Sequence, residues 1–358
     1  MAQEQAGPTL TSITYAGRQT VKFGLIFLVI LMVGRITINA FVAYWKATHS
    51  EPPPPPTVGF GLLPPIKFPA QTEDDKPISY KLETATGTTP DFGDRAKVFF
   101  MPKATASLLA DQSAKATAAK LDYVFEPQAL TTELYRWNRS QPLLSTLEMN
   151  IRTNSFKITS NYLSLPELLV NKQVPSGFEA INRVKTMLKR ADLLADDVAT
   201  ASGEIVYLKS LGGELAPAVS QSDADFIQVD LNRYPIDGVF RMYTPEGYIG
   251  SITAILTGAF ESRDSIVELF YNYHQVDYEQ VHTYPLRTSQ SAWQILQAGE
   301  GYIAVKGSDD AAVVRTVSLG YFDSFEEQEY LQPVYVFENA DSGFVGYVPA
   351  LDPKYIQK

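Results

Sequence analysis

The sequence predicts an α+β protein: a single N-terminal transmembrane helix, then tandem helix-plus-antiparallel-sheet units. Three observations carry this expectation. The stretch Phe23–Trp45 (FGLIFLVILMVGRITINAFVAYW) is apolar over most of its length. Beyond it, short segments alternate apolar and polar residues between turn formers, the pattern of half-buried strands. The order of helix followed by strands then recurs three times, which is an α+β plan.

A helix needs roughly 20 apolar residues to cross a hydrocarbon layer about 30 Å thick, and Phe23–Trp45 meets that length. Tyr44 and Trp45 stand at the far end, where amphipathic rings favour the headgroup level. Arg18 and Lys22 flank the near side, so the positive-inside rule places residues 1–22 in the cytoplasm and 46–358 outside. A cleaved signal peptide is the rival reading, but no small-x-small site follows Leu25–Val33 closely. A buried core helix fits poorly with the aromatic end and the proline tract. A charge near mid-span costs ~2.5–3.5 kcal/mol, which makes Arg35 the anomaly. Asn39 lies four residues on, so the two project from one helix face. Two readings stand side by side: Arg35 and Asn39 contact a partner transmembrane helix, or Arg35 snorkels from a tilted span.

Glu4, Arg18, Lys22 and Arg35 are the charges within residues 1–45. Setting them aside from 30 basic and 40 acidic residues leaves 27 against 39, a net −12 for the exterior part. An exterior this acidic argues against nucleic acid as a partner. The absence of cysteine removes thiol chemistry, disulfides and a lipoprotein anchor, and suits a bacterial-type exported domain. After the span, Pro52–Pro56, Pro64, Pro65 and Pro69 force extended polyproline II. Val58, Phe60, Leu62, Leu63, Ile66 and Phe68 are too apolar for an inert spacer and are expected to pack on this protein's own body or on a partner.

The expected organisation is 1–22 as cytoplasmic tail, 23–45 as span, 46–90 as proline-rich stalk, and α+β units over 91–172, 173–287 and 288–358. The first unit opens with the apolar Val98–Phe100, then an alanine-rich helix over about 104–120, good by propensity. Strands LDYVFE, ELYRWN, LLSTLEMNI and SFKITSNYL follow, with a hairpin tip at Asn154–Ser155. In the second unit Ser176 and Glu179 form a capping box. A helix over 178–194 then carries the stripe Phe178, Ile181, Val184, Leu188 and Ala191. Its strands are EIVYLKSL, DFIQVDLNRY, GVFRMYT, YIGSITAILTG and SIVELFYNYHQV, punctuated by Gly212–Gly213, Asp237–Gly238 and Pro245–Glu246–Gly247. The third unit has a short helix, Thr288–Gln297, holding Trp293 and Leu296. Strands GYIAV, VVRTVSLGYF, QPVYVFE and GFVGYVPAL follow, the last pair joined at Asp341–Ser342–Gly343.

This C-terminal run, SAWQILQAGEGYIAV followed by VRTVSLGYFDSFEEQEYLQPVYVFENADSGFVGYVPAL, resembles the PepSY-like module of the YycH/YycI type of regulatory proteins. The shared order is a short helix with an aromatic, a strand ending in Leu319-Gly320-Tyr321, a Pro333-Val334-Tyr335 strand and a last hairpin strand. The likeness covers the last fifth of the chain and extends to the rest in layout; the proline stalk and Arg35 depart from it. It implies a non-catalytic protein that modulates a membrane sensor kinase through its span and outer domain.

Residues for chemistry are sparse. His274 and His282 bracket HQVDYEQVH, but Asp277 and Glu279 lie on the other strand parity, so sheet surface is the expected reading over metal. Asp74–Asp75, Asp196–Asp197, Asp309–Asp310 and Glu326–Glu327–Glu329 sit beside turns and read as solvated loops. Asp223 and Asp225 read as helix-start acids near Ser222. No nucleophile elbow, phosphate loop or zinc-protease motif is present. With 20 Tyr and 19 Phe, many at strand positions, an aromatic interaction surface is plausible beside ordinary core packing. The expectation is therefore a single-pass plasma-membrane protein with an extracytoplasmic body. It has no enzymatic activity and no cofactor, and it binds another membrane or envelope protein. The alternatives are a structural subunit of a surface or secretion assembly and an acidic-residue envelope hydrolase.

Overall fold

The computed structural model describes residues 10–48, 54–105, 107–169, 173–309 and 311–357. Glu4, Pro52, Pro53 and Asp310 of the sequence reading lie outside them. The chain divides into two compact units, Met1–Pro55 and Pro56–Lys358.

The first unit contains helix α1, Leu10–Thr48, whose 39 residues span about 58 Å at 1.5 Å per residue. Its apolar part, Gly17–Trp45, is long and apolar enough to cross a membrane, and none of it is buried in protein. The expected span lies wholly inside this helix, which continues past it at both ends. At mid-helix Thr37 bonds back to the Val33 carbonyl at 2.6 Å, so its hydroxyl is satisfied within the helix.

In the second unit, β1 (Ser79–Leu82) and β2 (Arg95–Phe100) precede α2 (Ala110–Lys120). Then come β3 (Gln128–Ala129), β4 (Leu134–Arg139), β5 (Ser145–Asn150) and β6 (Phe156–Ser160). Helices α3 (Gly177–Arg190) and α4 (Asp196–Thr200) follow, and then β7 (Glu204–Leu211), β8 (Glu214–Pro217) and β9 (Phe226–Leu231). Strands β10 (Met242–Tyr243), β11 (Ile252–Thr257), β12 (Ile266–Tyr271) and β13 (Asp277–Pro285) lead to α5 (Ser289–Gln297). The chain closes with β14 (Tyr302–Val305), β15 (Ala311–Val314), β16 (Thr316–Phe322), β17 (Tyr330–Asn339) and β18 (Phe344–Pro349).

These strands make a 9-stranded sheet, β3-β4-β5-β6-β12-β11-β9-β7-β8, and a 7-stranded sheet. The latter runs β10-β16-β17-β18-β14, with β2 bridging β17 to β13. A small parallel pair, β1 with β15, stands beside them. Strand pairing therefore crosses both expected unit boundaries. The first sheet joins strands from either side of position 172, and the second joins β2 and β13 to strands beyond 288.

Alternation along the strands sorts residues between faces. In β9, Ile227, Val229 and Leu231 face α3 and α4, packing with Val184, Leu188 and Val198, whereas Phe226 faces Tyr162 and Leu168. Both faces of the sheet centre are thus covered. On the other sheet α5 seats Ala292, Trp293 and Leu296 against Phe337 and Val348. Each Leu, Val or Phe side chain so buried contributes ~1.5–3 kcal/mol.

Several local expectations are corrected. α2 begins at Ala110, not Ala104, and LDYVFE forms turns and bends, not a strand. α3 ends at Arg190 because Ala191 caps it and Asp192 takes φ 58°. Ser176 does accept the Glu179 N–H at 3.3 Å. The Glu179 carboxylate, however, pairs with Arg183 four residues on, so only half the capping box forms. Phe178 is 80% exposed; it lies two positions before buried Ala180, some 200° around the helix. GVFRMYT contributes only β10, which pairs in parallel with β16 and so joins the other sheet. Asp223 and Asp225 lie in the turn into β9, where Asp223 pairs with Lys209 and Asp225 accepts the Ser210 N–H at 2.8 Å.

The stalk residues fold back as a strap. Leu63 is fully buried among Val98, Tyr284 and Leu351. Its backbone pairs with the C-terminal segment, Leu63 N–H to Tyr355 O and Gln357 N–H to Leu63 O, both 2.8 Å. Ile66 and Phe68 pack on Phe322 and Tyr347. Of the two stalk expectations, packing on this protein's own body is the one observed.

Candidate functional site: a cleft where the two sheets meet

Arg233 lies two residues past the end of β9, deep between the sheets, with no side-chain exposure. Its Nε donates to Asp323 Oδ2 at 2.9 Å, just beyond β16. Nη1 donates to Asp197 Oδ2 of α4 at 2.9 Å. Nη2 donates to the His274 carbonyl in the link between β12 and β13. The guanidinium also stacks 4.2 Å from the Tyr273 ring. One side chain therefore ties strands of the 9-stranded sheet, through α4, to the 7-stranded sheet. Burial alone would push Arg233 down; Asp323, Tyr273 and Asp197 outweigh it and hold the guanidinium well above its ordinary value. Two further bonds cross the same junction: Asn272 Nδ2 to Phe325 O at 2.7 Å, and Arg152 Nη1 to Glu327 Oε2 at 2.6 Å.

Above this network opens a cleft of about 1030 Å³. Its walls are the start of α4, the Tyr234–Gly238 turn, Lys97 and Phe99 of β2, and Tyr273–Tyr278 leading into β13. The turn is tight because Asp237 and Gly238 both take positive φ, 54° and 72°, a geometry glycine adopts without strain. Asp197 forms the floor. It accepts from Tyr273 Oη at 3.1 Å, from Tyr278 Oη at 2.7 Å, and from Arg233. With their hydroxyls turned down onto a carboxylate, the two phenols offer carbon surface to the opening. Burial and Asp197 push the Tyr278 hydroxyl far up, and burial raises Tyr273 to about 12, so both stay neutral donors. At the rim Lys97 pairs with Asp237 at 2.6 Å. Asp196 is exposed beside them.

No family model matches this chain, and no curated protein matches it. Two solved structures are similar to parts of it. One, described as an uncharacterized protein from Eubacterium rectale, has 11% identity and a TM-score of 0.32 over 71% of this chain and 82% of that one. The other, the Bacillus megaterium YpeB C-terminal domain, has 12% identity and a TM-score of 0.26 over 70% of this chain and 100% of that one. Scores this low establish no shared function. Neither comparison supports the YycH/YycI type in particular.

The residues singled out from sequence scatter differently. Arg35 and Asn39 are exposed on α1, four residues apart on one face. His282 sits in β13 opposite Val98, its Nδ1 3.2 Å from Thr57 Oγ1 and its ring edge-on to Phe60. His274 lies in the link before β13, its Nε2 3.4 Å from the Phe325 carbonyl. Among the described residues no group of three His, Asp or Glu is arranged to hold a metal. Glu327 is not a free loop acid. Burial works against its charge, but Arg152 and the Ala104 N–H hold its carboxyl below the usual range. Nothing in the sequence singles out Arg233 or the cleft; Asp196–Asp197 and Asp237–Gly238 read there only as separate loop and turn.

Proposed function

We propose that this chain is a single-pass plasma-membrane protein, N-terminus inside, whose extracytoplasmic body binds and regulates a partner in a cell-envelope complex without catalysing a reaction. The observation that carries this reading is the state of the cleft. Its charges are spent on one another: buried Asp197 on Arg233 and two tyrosines, and exposed Lys97 on Asp237 at the rim. Groups so engaged suit a rigid docking surface better than proton transfer, which needs a group poised to change its charge. The length and apolarity of α1 support the anchor, and Arg18 and Lys22 on its N-terminal side support the orientation. Arg35 and Asn39 are the proposed contacts to a partner transmembrane helix.

Two experiments test this. Protease added to intact cells should digest the body; protection until the cells are permeabilised would reverse the sidedness. A photo-crosslinking residue at Gln275, on the exposed rim, should capture a discrete membrane-protein adduct in native membranes. The same probe at exposed Val219, outside the cleft, should not. Arg35→Leu should weaken that adduct if the transmembrane contact exists.

A further inference from the structure

The chemistry of the cleft narrows what it can hold. Tyr278 keeps 39% and Tyr234 50% of their surface exposed. The Tyr278 hydroxyl is committed to Asp197 beneath it, so what it presents outward is a π face or edge. An aromatic face attracts a cation through its quadrupole, and the molecule already uses this beneath the cleft, with Arg233 on Tyr273. Charge at the site points the same way. Asp196, Asp197 and Asp237 line the cleft against the single cation Lys97, and the buried Arg233–Asp323 pair beneath is neutral as a pair, leaving two negative charges. Apolar walls from Phe99, Pro235, Ile236 and Val276 complete it. A site that is apolar, aromatic and net negative complements an apolar chain segment carrying a cation, and disfavours an anionic or purely neutral polar ligand.

We infer that the cleft between the two sheets binds a cationic side chain, arginine or lysine, presented by an apolar segment of a partner polypeptide, with Tyr234, Tyr278 and Asp196 as its contacts. The inference rests on the binding function proposed above and names the ligand class of that same site. Asp196 supplies the charge at the rim, and the tyrosine faces receive the flat or methylene part of the cation's stem.

The test uses the full-length protein in lipid nanodiscs. The probe is the capped peptide Leu-Arg-Phe-Arg-Leu, compared with its citrulline and glutamate counterparts by calorimetric titration. The arginine peptide should bind, more weakly as salt rises, and the other two should bind at least about tenfold less well. Asp196→Asn and Tyr234→Ala, both at exposed positions where folding is not at stake, should each weaken the arginine peptide about 3–10-fold. They should leave the weak binding of the citrulline peptide unchanged. Equal binding of arginine and citrulline peptides, or no effect of either substitution, overturns the inference. Binding of chitotetraose in the cleft in place of the peptide would also overturn it and assign the aromatic faces to sugar stacking. If Gln275 crosslinks a partner in membranes while the arginine peptide fails, the ligand class falls and the binding reading survives. If Gln275 captures nothing, the binding reading itself falls.

Discussion

Replacing Arg233 by methionine tests whether one buried cation holds the two sheets together. The substitution keeps an apolar stem of similar reach and removes the charge. It leaves Asp323 and Asp197, 1% and 10% exposed at their side chains, without their counter-ion. Breaking a buried ion pair from one side costs about 3–5 kcal/mol, because the remaining charge stays desolvated. Stability of ordinary domains is about 5–15 kcal/mol, so Arg233→Met should remove a large share of it. Urea unfolding of the full-length protein in detergent would read this through single-tryptophan variants. Trp137 reports the 9-stranded sheet and Trp293, on α5, the 7-stranded one. In the parent protein the two transitions should coincide; in Arg233→Met they should shift to lower urea and separate. Asp323→Leu added to Arg233→Met should recover part of the loss, since an apolar replacement of a buried pair is often neutral or stabilising by about 1–4 kcal/mol. Lys81→Met, which breaks the exposed pair with Glu83, is the control and should change stability by no more than about 1 kcal/mol. A loss under about 1 kcal/mol for Arg233→Met, with transitions still coincident, would refute the idea that this network joins the sheets.

Three further outcomes follow from the same contacts. Leu63→Ala should cost about 2–5 kcal/mol and speed tryptic cleavage at Lys67, because Leu63 is the fully buried anchor of the strap. Gln71 caps the edge of β14 with both halves of its amide, donating to the Ile303 carbonyl at 2.6 Å and accepting the Ile303 N–H at 2.9 Å. Gln71→Ala should therefore accelerate hydrogen exchange of the Ile303 amide about 5–10-fold, the equivalent of one lost hydrogen bond. Arg152 and the Ala104 N–H outweigh burial and hold Glu327 below its usual value of 4.5. Its stabilisation is thus complete above that value and lost as pH falls through the lower folded one. Unfolding measured from neutral pH down to about 3 should show that the acid-induced loss is smaller in Glu327→Gln, which starts less stable at neutral pH.

What could be read from the sequence was local. Ser176 marks the start of α3 in the sequence because an N-cap is a bond between residues three apart, whereas Thr288, expected inside its helix, is the N-cap of α5. Asn154 and Asp341–Gly343 marked hairpin tips because positive φ has few tolerant residues. The sequence places the start of α2 too early because alanine propensity extends a helix without saying where it begins. GVFRMYT reads as a strand of its own neighbourhood, yet alternation along a strand does not name the sheet it will join. The cleft is the limiting case. Lys97, Asp197, Tyr234 and Tyr278 meet only after two sheets dock, and no spacing in the chain connects them. Arg233 looked ordinary in QVDLNRY because nothing in a run of residues says that both of its counter-ions, Asp197 and Asp323, will arrive from far away.

The strap shows why one segment can be rich in proline and in apolar side chains at once. Folding an irregular segment onto a body costs backbone entropy, roughly 1–2 kcal/mol per residue. Prolines at 56, 64, 65 and 69 have already surrendered much of that freedom in the unfolded chain. They also bring no N–H that would need a partner on docking, and the carbonyl of Pro64 is met by Gln332 Nε2 at 2.9 Å. The remaining ties are spread over four places: Thr57 to Thr283, Phe60 and Gly61 to the Tyr284 hydroxyl, Leu63 to the C-terminal segment, and Gln71 to β14. A stalk built only as a spacer would gain nothing from Leu63 or Phe68. A segment that becomes part of the body along its length needs both residue types, and that is the composition found here.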